Sequence, residues 1–135
     1  MSAASNYLEN KVLDHTLRNA AFTQPAGLFI GLYTGNALTN LEAGTLTDEV
    51  TTAGGTNYVR KAVTFGNANV GTATNNTTIT FDAAGVTWGN ITAIAILDTV
   101  TTGNVLFYGN LTTAKLIETG DTMQFVTTNI SVSLA

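Results

Sequence analysis

Leu8, Val12, Leu13 and Leu17 recur at helical spacing near the start of the chain, with polar residues between them. Asn6 stands where a cap is expected, and Glu9 follows three residues on, a variant of the capping box. Asp14 and Arg18 lie four apart and can pair on the outer side. Pro25 ends any continuation. The spacing predicts one helix at about residues 6–19.

After Pro25 the period changes to two. Leu28, Ile30 and Leu32 alternate with Phe29, Gly31 and Tyr33, the pattern of a strand buried on both faces. Residues 35–56 show no firm period and read as a long loop, a feature that often carries function. Further strands are expected at Tyr58–Phe65, at 72–81, at Ile91–Leu97, at Val105–Tyr108 and over Met123–Leu134, with Val126, Ile130, Val132 and Leu134 on one face of the last. A turn at Thr99–Asn104 pairs the strands on either side of it. Gly66-Asn67, Asp82–Gly85 and Glu118–Asp121 supply the other turns. These elements predict a mainly β fold, a β-sandwich or jelly-roll-like domain over residues 1–135, with about six to eight strands and one N-terminal helix.

Composition narrows the picture. Charged residues make up 10% of the 135, whereas Thr alone occurs 26 times. Soluble domains usually carry about 25% charge. Hydrophobic residues reach 44% and the mean hydropathy is +0.21, which excludes charge-driven disorder. The net charge of −4 argues against nucleic acid as a partner, since phosphate repels such a surface. No run approaches the length of a membrane span, and no signal peptide is visible at the N-terminus, so neither membrane nor export is expected. The absence of cysteine removes disulfides and thiolate metal sites.

Reactive motifs are missing, so no catalytic or metal-ligating residue is assigned and no cofactor is expected. His15 stands mid-helix without an orienting partner and reads as a packing or hydrogen-bonding residue. Asp48-Glu49 could serve a Ca²⁺ site but reads first as a solvated loop pair. Asp82, Asp98 and Asp121 sit at strand ends, where Asp is turn chemistry. Gly54-Gly55 lacks the Lys-Ser/Thr and helix of a phosphate loop. Arg60 and Lys61 point to opposite faces of a strand, at an edge or interface. Trp88 is either a core or interface anchor or the platform of a carbohydrate-binding module.

The ordered set of segments Leu8–His15, Leu28–Thr34, Gly54–Phe65, Trp88–Thr92, Gly103–Gly109 and Gly120–Phe125 resembles a family of small virion structural proteins of tailed bacteriophages. Residues 35–53 depart from that family, which has a short Asp/Pro-rich turn there. The resemblance implies a non-enzymatic capsid decoration, or cement, protein that binds the outer surface of the head and stabilises the shell. A tail or tail-fibre component is the alternative it implies, and a carbohydrate-binding module is the second alternative. The partners implied are the major capsid protein and further copies of the chain, as a homotrimer. The place implied is the capsid surface of the virion, after assembly in the host cytoplasm. A low-charge, Thr-rich surface desolvates at lower cost than an ionic one and suits a subunit covered by neighbours.

Overall fold

Ser5, one residue before the expected cap, starts the first helix. In the computed structural model, which describes residues 2–134, its hydroxyl oxygen accepts a hydrogen bond from the Leu8 amide at 3.3 Å. The same hydroxyl donates to the carbonyl of Val105, so the cap also ties the helix to the sheet. Helix α1 spans Asn6–Leu17. It stops two residues short of the expected end because Asn19 takes a left-handed conformation, φ 56°, and Ala20 N donates back to Asp14 O at 3.1 Å. Asp14 and Arg18 pair at 3.2 Å, as the spacing predicts.

The apolar side of α1 is not where an amphipathic helix normally places it. Only Leu8 is buried, while Val12, Leu13 and Leu17 are 36%, 53% and 76% exposed. The apolar stripe is thus covered at Leu8 and exposed beyond it.

The remaining elements are β1 (Ala3–Ala4), β2 (Phe29–Thr34), α2 (Leu38–Glu42), β3 (Lys61–Ala62), β4 (Thr72–Thr74), β5 (Ile79–Thr80), β6 (Gly89–Leu97), β7 (Val105–Ile117), β8 (Gln124–Phe125) and β9 (Ser131–Ser133). Five of them make an antiparallel sheet in the order β1-β7-β6-β2-β3. Two two-stranded ribbons, β4-β9 and β5-β8, complete the β structure. The mainly β fold with an N-terminal helix is as expected, and the second layer is built from ribbons.

Alternation on β2 and β6 sorts the core into two halves. Ile30, Leu32 and Ile96 face the ribbons and meet Tyr58, Ile79, Phe81, Met123, Phe125 and Ile130. Tyr33, Ala93, Ala95 and Leu97 face the other way and are covered by Ala37 and Leu41. β2 is therefore buried on both faces, as its apolar run predicts.

Three expected elements differ. The segment Tyr58–Phe65 pairs as a strand only at Lys61 and Ala62, because Tyr58 and Arg60 turn their side chains into the interior, where these bond Glu49. The segment 72–81 is two strands, separated where Asn75 turns its side chain onto other main chain. The long strand over Met123–Leu134 is two short ones, since Thr128 takes φ 69° and breaks the extended line. Of its expected apolar face, Ile130 is buried while Val126 and Leu134 are exposed.

Two further features exceed the expectation. β7 runs on from Tyr108 to Ile117, and a bulge interrupts its ladder: Ile91 faces Lys115 and Ala93 faces Asn110, so Leu111–Ala114 stand out opposite Thr92. The loop 35–56 holds α2 and then follows the edge of β2, with Thr34 N donating to Asp48 O and Val50 N to Leu32 O, both at 3.0 Å.

Candidate functional site

Residues 48–50 lie along β2, which carries the Glu49 carboxylate over Gly31. A β-carbon at Gly31 would stand 3.1 Å from Leu97 Cδ1 and 3.3 Å from Glu49 Oε1, so the glycine makes room for the acid. Arg60 reaches the same place from the segment before β3. Its Nε donates to Glu49 Oε1 and its Nη2 to Glu49 Oε2, each at 2.7 Å. Arg60 Nη1 donates in addition to the carbonyls of Thr99 (2.9 Å) and Thr102 (2.7 Å), which fastens the β6–β7 turn. Tyr58 donates to Glu49 Oε1 at 2.7 Å and accepts from Leu32 N at 3.0 Å. Tyr33 reaches Glu49 Oε2 at 3.5 Å.

Electrostatics follow from this burial. Desolvation, reinforced by the Glu49 charge, pushes the Tyr58 and Tyr33 phenols well above the usual tyrosine range. Burial alone would lower Arg60, but its hydrogen bonds to Glu49 and the Glu49 charge outweigh that, and its pKa is raised. The cluster is a neutralised, hydrogen-bonded clasp with no free donor aimed at a substrate. It ties four chain segments together: the strip around Glu49, the Tyr58–Arg60 segment, β2 and the β6–β7 turn.

The other singled-out residues are accounted for singly. Asp48-Glu49 is not a solvated pair: Glu49 is in the clasp, and Asp48 accepts from Asn40 Nδ2 at 2.7 Å. Among the described residues no group of three or more His, Cys, Asp or Glu could hold a metal ion. His15 accepts a hydrogen bond from Phe22 N at 3.3 Å, the bonding role expected of it. Asp98 and Asp121 close turns through Asn104 N (2.8 Å) and Glu118 N (2.9 Å), whereas Asp82 pairs with Lys61 at 3.0 Å. Arg60 is an interior residue rather than an edge contact, 5% exposed.

Trp88 is an anchor of the core. It is 7% exposed, its Nε1 donates to Thr56 O at 2.8 Å, and its ring meets Tyr58 and Phe81 edge-on. A ring so enclosed cannot stack a sugar, so the carbohydrate reading loses its expected platform.

A groove of about 350 Å³ opens between β7 and the β8–β9 segment, beside the short strand β1. Phe107, Leu111, Met123 and Val132 supply apolar lining, and Asn110, Thr113, Lys115, Asn129 and Ser131 supply polar groups.

The enclosed clasp and the buried Trp hold the domain together, and the exposed part of the α1 stripe is apolar surface open to a neighbour. The match to a protein-family model gives the class: this is a structural protein of the bacteriophage virion. The family model for podophage GP4 fiber I protein gp80 matches residues 3–133, and the chain belongs to that family. No curated protein matches the chain. Among the described residues no helix is long and apolar enough to cross a membrane.

Proposed function

We propose that the chain is a non-enzymatic subunit of a phage fibre, held in place by neighbouring virion proteins. The exposed part of the α1 stripe is the observation that carries this reading. A helix of 12 residues that buries only Leu8 gains little from packing on its own domain. Isolated helices of about 12–15 residues are marginal in water, so a covering neighbour accounts for the exposed Val12, Leu13 and Leu17. The fibre assignment is supported by the name of the matched family.

Decoration of the outer head surface by a homotrimer, in contact with the major capsid protein, is the second reading. The low-charge, Thr-rich surface favours it equally, because repeated modest interfaces hold such a subunit on a lattice. Imaging of intact particles separates the two. A fibre subunit is expected at the fibres and in their multiplicity. Density for the chain across the head lattice would overturn the fibre reading in favour of decoration.

A further inference from the structure

We propose that the groove between β7 and the β8–β9 segment binds an acidic oligosaccharide. This goes beyond the structural role, which stands or falls separately.

Charge makes the first argument. The chain carries nine Asp and Glu, yet none lines the groove. Its one charged lining residue is Lys115. Of the five basic side chains, Arg18, Arg60 and Lys61 are ion-paired and Lys11 lies over the Tyr7 ring. Lys115 has no such partner among the described residues and is exposed. An acidic protein has thus placed a cation that no carboxylate pairs among the described residues in an acid-free concavity, where it attracts an anion.

Lining chemistry makes the second. Asn110, Asn129, Thr113 and Ser131 are exposed at the rim, and they both donate and accept, as sugar hydroxyls require. Phe107 and Leu111, half-buried, give the apolar surface against which the C–H face of a pyranose packs. The volume lies in the range of about 300–1,000 Å³ typical of ligand sites. A peptide strand added to β7 beyond its pairing with β1 fits less well, since the bulge at Leu111–Ala114 disrupts the regular strand that it would extend.

The test is a titration of the full chain with a galacturonic acid trisaccharide and, in parallel, with the neutral galactose trisaccharide, followed by amide chemical shifts. Saturable shifts at residues 109–115 and 129–132 are expected with the acidic probe, and much weaker ones with the neutral probe. Lys115→Gln, at an exposed position, should weaken the acidic probe about tenfold, the size of one charge-assisted hydrogen bond. Leu111→Trp should block the groove and abolish binding, with the fold checked by unchanged shifts at Trp88. The proposal is overturned if no acidic saccharide on a glycan array binds, if Lys115→Gln leaves the affinity unchanged, or if the groove is instead filled by a second copy, seen as dimerisation that Leu111→Trp abolishes.

Discussion

Glu49 and Arg60, eleven residues apart, meet through two parallel 2.7 Å hydrogen bonds in the interior of a chain that is otherwise poor in charge. Their side chains are 15% and 3% exposed. Neither charge could be left alone there, because an uncompensated buried ion is strongly unfavourable. Arg60→Met is therefore expected to lower the unfolding free energy by about 3–5 kcal/mol. The double variant Glu49→Gln/Arg60→Met should lose much less than the sum of the two single changes, since it leaves no orphaned charge. Urea unfolding of the four proteins measures the coupling; additive losses would mean the pair is not an energetic unit.

The phenols around the clasp predict an alkaline limit. Tyr33 and Tyr58 hold their protons more tightly in the folded chain than at the ordinary value of 10.0. Below pH 10 both states are protonated and stability is full. Above it the unfolded chain releases protons that the folded chain keeps, so stability falls as pH rises, by up to about 1.4 kcal/mol per pH unit for each tyrosine. Urea midpoints at pH 9, 10 and 11 should show this decline, and Tyr33→Phe should make it shallower. A flat profile to pH 11 would contradict the assigned burial.

Asn75 holds the ribbons as Arg60 holds the loops. It is fully buried; its Nδ2 donates to Thr77 O (2.8 Å) and Val126 O (3.0 Å), and its Oδ1 accepts from Ile130 N (2.8 Å). Asn75→Asp keeps the shape but turns a carboxylate oxygen toward two carbonyls. A loss of about 3 kcal/mol is expected at pH 7. Repulsion raises the new carboxyl's pKa, so part of the loss should return as pH falls toward about pH 4, where the acid can donate again. Guanidinium unfolding at the two pH values checks both the loss and its recovery.

Much of this fold is legible in the sequence because it is local. The apolar run of β2, the turn Thr99–Asn104 and the helix spacing each declare themselves within a few residues. The clasp does not. Asp48-Glu49 looks like any loop pair and Arg60 like any strand residue, and only the return of 48–50 along β2 brings them together. Gly31, a glycine inside an apolar strand, is the one signal that something approaches closely there. The split of the last strand was equally hidden, since Thr128 has high strand propensity and yields to the Asn75 contacts that bend the chain. Periodicity marked the apolar stripe of α1 correctly, but it cannot tell whether the chain or a neighbour covers that stripe.

That ambiguity frames the last prediction. Leu13 and Leu17 are exposed and support no buried contact within the domain, so Leu13→Ser and Leu17→Ser should change the stability of the isolated chain by no more than about 0.5 kcal/mol. If a virion neighbour covers the helix, the same changes remove apolar area from that interface and should sharply reduce incorporation into particles. Quantifying the chain in purified virions, beside thermal unfolding of the free protein, separates the two effects. Normal incorporation of the double variant would place the assembly contact on another face. A large loss of stability in the free chain would instead mean that α1 packs on its own domain in solution.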